Sequence, residues 1–287
     1  MLISEAFNAY RQDYVVFANQ SVRTEEHLMQ TLVLFLKFYS DMNIEDITFE
    51  LVRDWKIALT KTRSCNTVRG YIIKLRLVLR YCKLEGINVL DPETIPIPQR
   101  QKTTPKYLEA HEVTELIESI KQCPEYTHEN KLRDMLIISM IYASGLRVSE
   151  LVAINQEDLH EGRFTVVGKG GKPRLCFYDD RTQDLIIAYL RHRTDKCPAL
   201  FYSPQTRGRI SVATVQFVVK LVSCRVGKSI TPHTLRHSFA TNLMQNGMHI
   251  YEMSRLLGHA SIETTQMYLH TTDINLENAY KNTHSIT

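Results

Sequence analysis

Along most of the chain, apolar residues recur every three or four positions, which is the spacing of one face of a helix. Near the N-terminus this spacing is followed by Leu28, Leu32, Phe35, Leu36 and Tyr39. The pattern predicts helices only in about the first 90 residues.

The segment from Asn66 to Glu85 predicts the most regular amphipathic helix. At about 100° per residue, one apolar stripe of this helix is formed by Val68, Ile72, Leu75, Leu79 and Cys82. An adjacent stripe is basic and consists of Arg69, Arg76, Arg80 and Lys83. The helix is therefore expected to pack on a core and to present four cations on one side.

Four prolines between Asp91 and Pro105 divide the chain, because proline suits neither a helix interior nor a central strand. The segment predicts an extended linker. We predict a helical N-terminal domain over residues 1–92, a linker over 93–106 and a C-terminal domain over 107–287.

Helical spacing also dominates after the linker. The exception is a hairpin of two β-rich runs, Arg163–Val167 and Arg174–Tyr178, which flank a glycine-dense turn over 168–173. We therefore predict a mainly α fold with one small antiparallel hairpin. The predicted helices lie near residues 113–120, 132–142, 148–154, 181–191, 212–223, 233–245, 251–257 and 261–269, with a further turn or two over 274–280.

Composition favours a protein of the cytoplasm. The chain has 287 residues, of which 44% are hydrophobic and 23% are charged, as in ordinary globular proteins. No apolar run has the length of a membrane span, and the N-terminus does not resemble a signal peptide. The six cysteines include no C-x-x-C pair, which favours reduced thiols over disulfides or a zinc ribbon.

Positive charge is concentrated in one segment. Residues 53–83 carry nine basic side chains and one acidic side chain, Asp54, so their charge is +8 while the net charge of the chain is +4. A basic segment on a near-neutral protein is typical of nucleic-acid binding. The alternative is that the long basic side chains only border the core of a solvated helix. We name Arg69, Arg76 and Arg80 as candidate DNA contacts.

A cluster of chemically active side chains lies in the last third of the chain. Thr231 and Pro232 suit the N-cap and first position of a helix, which places His233 and Arg236 together at its start. That end of a helix favours anions, and arginine forms forked hydrogen bonds to phosphate oxygens. The cluster therefore indicates a phosphate site.

Two of its histidines have a second interpretation. His233 and His237 are four residues apart and could bind zinc, but the H-E-x-x-H glutamate and a third ligand are missing. We therefore predict no metal, and we interpret His237 as a structural histidine with satisfied hydrogen bonds, because it lies one turn further along the helix, near Phe239. A single tyrosine such as Tyr268 is usually a packing residue as well, and only its neighbours in the cluster distinguish it.

The ordered set of motifs resembles the tyrosine recombinase, or phage integrase, family. All six active-site residue types occur in the family's order, and the last four are separated by three, 23 and nine residues, as in the family. The resemblance covers the whole chain and is greatest to the Xer-like branch, which resolves chromosome dimers. The motifs are Gly145–Leu151 (GLRVSEL), Gly168–Gly170 (GKG), His233–His237 (HTLRH), Leu257–His259 (LGH) and Tyr268.

The resemblance implies a helical core-binding domain followed by a mixed, mostly helical catalytic domain. It implies that Tyr268 attacks the scissile phosphorus and forms a 3′-phosphotyrosine link, which conserves the bond energy. Arg147 and Arg236 would hold the non-bridging oxygens. No metal or other cofactor is needed.

The remaining roles follow from the same resemblance. Lys169 would protonate the departing 5′-oxygen, while Lys172 on the same turn is expected to contact a phosphate. His233 would help to accept the tyrosine proton, and His259 would hydrogen-bond the phosphate. Glu150, three residues after Arg147, is the candidate partner that holds this arginine.

The implied partners are double-stranded DNA with a specific recombination site and other copies of a recombinase. We expect a homo- or hetero-tetramer on two DNA sites, with the tail 275–287 docking on a neighbouring subunit. Enzymes of this branch often need a partner recombinase or a DNA translocase. No membrane partner is expected, and the protein is expected to associate with the nucleoid.

Three alternatives to an Xer-like recombinase stay open from the sequence. The chain could be the integrase of a mobile element, or a strand-relaxing enzyme like the type IB topoisomerases. From another class, it could be a DNA-binding protein that has lost catalysis, although the complete residue set argues against this.

Overall fold

The structure is a computed structural model that describes residues 1–101, 106–168, 171–258, 261, 265 and 268. The chain forms two compact units, Met1–Thr103 and Thr104–Thr287. Each unit has a hydrophobic core of its own. The predictions for Lys169, His259, most of the helix 261–269 and the tail lie outside the described residues.

The first unit is helical throughout its described part. Helix α4 is central, since it packs against the other three helices, and Trp55 and Phe35 meet edge to face in the core. A π-helical stretch, Arg11–Val16, continues the first helix. The four helices are α1 (Ile3–Tyr10), α2 (Val22–Phe38), α3 (Phe49–Thr60) and α4 (Cys65–Leu84).

Helix α4 has the predicted amphipathic character. It begins at the N-cap Ser64, whose side chain accepts a hydrogen bond from the backbone N–H of Thr67. The predicted apolar stripe is confirmed, because none of its five side chains is more than 1% exposed. The hydrophobic spacing alone was sufficient to orient this helix on its core.

The segment predicted as a linker packs on α4 over much of its length. Ile95 is 2% exposed and belongs to the core of the first unit. Arg69 Nη1 donates to the carbonyl of Pro98 at 2.8 Å, and the side chain of Asn66 exchanges two hydrogen bonds of 3.0 Å with the backbone of Gln101. Side chains of α4 therefore satisfy backbone groups that a proline-rich segment cannot pair in a ladder.

The second unit is built around α6, which packs against α5, α7, α8, α9 and α10. No helix in the described part of the chain is long and apolar enough to cross a membrane. The helices are α5 (Ala110–Lys121), α6 (His128–Ser144), α7 (Val148–Ala153), α8 (Asp180–His192), α9 (Val212–Arg225), α10 (Pro232–Gln245) and α11 (Ile250–Leu257).

Two small antiparallel sheets accompany these helices, so the predicted mainly α fold with a small hairpin is confirmed. The predicted hairpin is formed by β1 (Arg163–Val167) and β2 (Pro173–Phe177). A second pair, β3 (Tyr202–Ser203) and β4 (Gly208–Arg209), is only two residues long on each strand, too short for alternation to show in the sequence.

The β1–β2 hairpin turns a charged side chain inward. Arg174 is buried on its inner face opposite Val166. The apolar Leu175 and Phe177 lie on the outer face and are 46% and 47% exposed. Alternation of hydrophobicity would have placed these two residues inside, so another interaction must hold Arg174 in the interior.

We expect Ile95→Ala to destabilise the first unit by about 2–5 kcal/mol, because it leaves a cavity in a packed core. Ile97→Ala is the matched control, since Ile97 is 37% exposed and its truncation should have a much smaller effect. Urea denaturation measures both changes. Equal effects of the two substitutions would contradict the packing of this segment.

Candidate active site

The site begins at the turn between α6 and α7. Gly145 ends α6 in the left-handed conformation, with φ of 61°, as predicted for a helix-terminating glycine. A Cβ atom at this position would overlap the ring of Phe239. Both the backbone conformation and the nearby ring therefore require glycine at this turn. The turn places Arg147 at the N-cap of α7.

Glu150 holds Arg147 at two points. Its Oε2 atom accepts from the backbone N–H of Arg147 at 2.7 Å, and its Oε1 atom accepts from Nη1 of Arg147 at 2.9 Å. Glu150 itself is 5% exposed. The structure therefore brings these two predicted residues together and fixes the direction of the guanidinium.

The start of α10 carries the second arginine of the site. Thr231 caps the helix and Pro232 occupies its first turn, as predicted. Arg236 is 4% exposed, and it donates from Nη1 to the carbonyl of Gly145 at 2.5 Å. Burial, together with the charge of Arg147, lowers the pKa of Arg236 to about 10, so the side chain is still charged at neutral pH.

A third arginine, Arg174, also binds Glu150. Its Nη1 and Nη2 atoms donate to the two carboxylate oxygens at 2.6 and 2.8 Å. Burial alone would raise the pKa of Glu150, but the hydrogen bonds from Arg174 and from the backbone of Arg147 outweigh it and lower this pKa to about 2. Glu150 thus stays ionised in the interior.

The three arginines converge on the C-terminal end of α11. Carbonyl groups at this end lack partners within the helix and carry the negative end of its dipole. Because the three guanidinium groups face one carboxylate, a net charge of about +2 remains for an anion. The Leu256 carbonyl accepts from Nε of Arg174 at 2.8 Å, the Leu257 carbonyl from Nη2 of Arg236 at 2.6 Å, and the Gly258 carbonyl from Nη2 of Arg147 at 3.2 Å.

Tyr268 lies in a small apolar cluster beside these charges. The tyrosine is 3% exposed and packs with Ala240, Met244, Met253 and Leu257. Burial raises the pKa of Tyr268 to about 12, although the nearby charge of Arg236 acts in the opposite direction. The phenol is therefore protonated at neutral pH.

His237, which the sequence predicts to be a structural histidine, contacts the hydroxyl group of Tyr268. Its Nδ1 atom lies 2.6 Å from the Tyr268 oxygen. Burial, followed by the charges of His233 and Arg236, lowers the pKa of His237 to about 4. The pair is thus neutral at neutral pH. His233, by contrast, is exposed, and its ring centre lies 6.4 Å from that of His237.

The candidate DNA contacts on α4 are largely bound within the first unit. Arg76 and Arg80 both form ion pairs with Glu93. The Arg69 guanidinium binds a backbone carbonyl, as described above. The sequence pattern could not show this, because Glu93 belongs to the segment predicted as a linker. In the second unit Lys172 is exposed on the hairpin turn.

Sequence reasoning missed Arg174 and the contact of His237. Arg174 could have been found from Cys176, because residues two apart face the same side of a strand. The apolar Leu175 and Phe177, however, suggested that the opposite side of the strand is buried. For His237 the signal was its position one residue after Arg236. No group of three or more His, Cys, Asp or Glu side chains among the described residues is arranged to hold a metal ion.

Comparison with known proteins places this site in a family. Residues 106–274 match the phage integrase family. Tyrosine recombinase XerA of Pyrococcus furiosus is 37% identical over 87% of this chain and 86% of its own length. Tyrosine recombinase XerD of Listeria monocytogenes is 32% identical over 82% of each chain. The chain therefore belongs to the phage integrase family of tyrosine recombinases.

The fold agrees with this assignment. The crystal structure of the XerH recombinase, bound to a palindromic difH substrate after cleavage, matches with a TM-score of 0.75. The match covers 92% of this chain and 80% of that chain at 24% sequence identity. Similarity at this level of identity supports the common fold alone.

The depressed pKa of His237 predicts a specific pH dependence of stability. Between pH 6.5 and 4 the unfolded chain binds a proton at this histidine that the folded chain does not bind. The free energy of unfolding should therefore fall as the pH is lowered through this window, by up to about 3 kcal/mol. In His237→Asn the fall between pH 7 and 4.5 should be smaller.

Urea denaturation at the two pH values measures this difference. His111→Asn is the control, because His111 is exposed and its replacement should leave the pH-dependent loss unchanged. An identical loss in wild type and His237→Asn would show that His237 does not stay neutral in the folded chain.

Proposed function

We propose that this chain, a site-specific DNA recombinase by its family, cleaves and rejoins duplex DNA through Tyr268. The observation that carries the proposal is the convergence of Arg147, Arg174 and Arg236 on one carboxylate and one helix end. The resulting positive charge suits a phosphodiester, and the phenol of Tyr268 hydrogen-bonds the residue next to Arg236.

Arg147 and Arg236 are the groups that we propose hold the phosphate. A guanidinium carries five N–H donors, and the described hydrogen bonds of each arginine use two of them. The other donors can bind the non-bridging oxygens and stabilise the charge that develops on the phosphorane. The contacts to Glu150 and to the helix end fix these donors before DNA arrives.

The proposed reaction consists of two reversible steps. The Tyr268 oxygen attacks phosphorus, a 3′-phosphotyrosine bond forms, and the bond to the 5′-oxygen breaks. Lys169 gives a proton to the departing 5′-oxygen, while His233 helps to accept the proton of Tyr268 and His259 hydrogen-bonds the phosphate. Attack by a 5′-hydroxyl on the phosphotyrosine then rejoins the strand and releases Tyr268.

The high pKa of Tyr268 bears on the first step. A phenol with a pKa of about 12 is a weak nucleophile until its proton is removed. His237, with a pKa of about 4, is too weak a base to remove it. We therefore assign proton acceptance to His233 and regard the His237 contact as one that holds the neutral phenol before reaction.

For the first unit we propose DNA contact through α4 and the turn before it. Lys61 and Arg63 are exposed in that turn and can approach phosphates directly. Arg76 and Arg80 remain candidates, but they must exchange Glu93 for phosphate. Such contacts are made mainly to the backbone and depend strongly on salt.

Gly70 indicates a DNA surface on a second side of α4, since about 100° around the helix separates it from the neighbouring Arg69. It lies within the helix, and a Cβ atom at this position would have no neighbour within 4 Å among the described residues. A glycine inside a helix costs about 1 kcal/mol relative to alanine, and no contact in the described part of the chain requires it. Close approach of a DNA backbone would explain the missing side chain.

The assembly we propose is a tetramer on two DNA sites. The XerH substrate is palindromic, and a palindrome offers two equivalent half-sites to two protomers. Two such dimers would exchange strands, with the tail 275–287 docking between subunits. Resolution of chromosome dimers, with or without a second recombinase or a translocase, and a nucleoid-associated, cytoplasmic location fit this assembly.

The exposed Lys172, on the same hairpin turn as Lys169, would add a phosphate contact.

We expect Tyr268→Phe to abolish the covalent protein–DNA adduct while retaining DNA binding, because only the nucleophilic oxygen is removed. A DNA substrate nicked near the cleavage position traps the adduct by releasing a short strand. Tyr189→Phe is the matched control, since Tyr189 is also buried, at 1% exposure, but lies outside the site. An adduct with Tyr268→Phe would reject the assignment of the nucleophile.

The adduct assay, together with an assay on supercoiled DNA, separates two of the alternatives, none of which the comparisons favour. Relaxation of supercoiled DNA that lacks a recombination site would indicate a topoisomerase-like activity. Binding without an adduct in the wild type would indicate a DNA-binding protein without catalysis.

Gly70→Gln should raise the stability of the chain by about 0.5–1 kcal/mol and yet weaken DNA binding. Glutamine is a good helix former, but its side chain would obstruct a DNA backbone that lies against α4. Thermal unfolding and fluorescence anisotropy with labelled duplex measure the two effects. Leu84→Gln, a charge-neutral change at the exposed end of the same helix, is the control. Unchanged affinity in Gly70→Gln would remove this face from the DNA surface.

A further inference from the structure

Arg174 differs from the two phosphate-binding candidates in how it uses its donors. All three of its guanidinium nitrogens donate within the protein, two of them to Glu150 and Nε to the Leu256 carbonyl. The side chain is 7% exposed. Arg174 is therefore held by the fold at three points, and its described hydrogen bonds connect other parts of the site.

The first connection runs from Arg174 through Glu150 to Arg147. Arg174 Nη1 and Arg147 Nη1 share the same carboxylate oxygen, at 2.6 and 2.9 Å. The second carboxylate oxygen binds Arg174 Nη2 and the backbone N–H of Arg147. Glu150 is thus held in place by its forked pair with Arg174, and its position determines the direction of the Arg147 guanidinium.

The second connection joins two segments of the site that lie far apart in sequence. The Cβ position of Gly168, next to Lys169, is 3.7 Å from Nη1 of Arg174 and 3.8 Å from Oε1 of Glu150. The Cβ position of Gly258, at the end of α11, is 2.9 Å from Cδ of Arg174. Gly258 allows this close approach, whereas the contacts at Gly168 are of ordinary van der Waals length and place the start of the hairpin turn against Arg174 and Glu150.

Removal of Arg174 would leave Glu150 underpaired in the interior. A buried carboxylate without a full partner either takes up a proton or draws in the nearest cation. Among the described residues, the nearest remaining cations are Arg147 and Arg236, and Nη1 of Arg236 lies 3.9 Å from Glu150. Either response changes the orientation or the charge balance of the two arginines that we assign to the phosphate.

We propose that Arg174 is a positioning residue for cleavage: through Glu150 it orients Arg147 toward the scissile phosphate. The inference rests on the proposed function, in which Arg147 binds the non-bridging oxygens. Arg174 itself need not touch DNA. A small error in the position of a catalytic group can reduce a rate by roughly 10²-fold, and we expect an effect of this order from its loss.

The test compares single-turnover cleavage of two nicked DNA substrates. One carries the normal phosphodiester, and the other carries a methylphosphonate at the scissile position, which removes the negative charge of the phosphate. A neutral centre depends less on arginine. A defect that acts through Arg147 should therefore shrink on the methylphosphonate, whereas a general loss of folded protein should not.

The variants are Arg174→Lys, Arg174→Met and the double variant Glu150→Gln with Arg174→Met, which removes the Arg174–Glu150 pair together and leaves no unpaired buried carboxylate. Arg147→Ala is the reference for a lost phosphate contact. Arg193→Lys is the matched structural control, because Arg193 is a buried arginine paired with Asp195 and bound to backbone carbonyls elsewhere in the unit. Unfolding curves establish the folded fraction of each.

We expect Arg174→Lys and the double variant to bind DNA normally and to cleave the phosphodiester roughly 10²-fold more slowly. On the methylphosphonate the defect should fall below about 10-fold, as it should for Arg147→Ala. Arg193→Lys should cleave both substrates at the wild-type rate. Wild-type cleavage by the folded Arg174 variants, or an equal defect on both substrates, would overturn the inference. Failure of the wild type to form a Tyr268 adduct would instead reject the proposed function.

Discussion

The site depends on the neutralisation of one helix end by three arginines. Successive carbonyls of Leu256, Leu257 and Gly258 each bind a guanidinium from a different element. Because the helix end and Glu150 together carry less negative charge than the arginines carry positive charge, the cluster attracts a further anion. The hydrogen bonds of these arginines to the helix end and to Glu150 thus join α7, α10, α11 and the hairpin.

Local rules were sufficient for much of the molecule. The stripe on α4, the cap at Thr231 and the left-handed glycine at Gly145 all depend on residues within a turn or two of each other. The order of the candidate catalytic residues could also be recognised, because a family motif is defined by the sequence itself. Thr231 is the N-cap that the sequence predicts, and Ser64 and Gly145 occupy helix ends that suit their residue types, without reference to distant partners.

The contacts that could not be predicted join residues far apart in sequence. Arg174 lies inside the hairpin because Glu150, 24 residues earlier, pairs with it, and this attraction overrides the apolar preference of Leu175 and Phe177. Arg76 binds Glu93, 17 residues later, in a segment whose prolines suggested a free linker. In each case a distant charge determined the position of a side chain whose local pattern indicated another role.

The site separates charge from the nucleophile. Arg174 and Arg236 stay charged around the ionised Glu150. Tyr268 in its apolar cluster and His237, which contacts its hydroxyl group, are neutral. A phosphate bound at the arginines would cancel much of the local positive charge, so it would not by itself favour the phenolate. The energy that ionises Tyr268 must therefore come from proton transfer to a base during attack, and not from the field of the empty site.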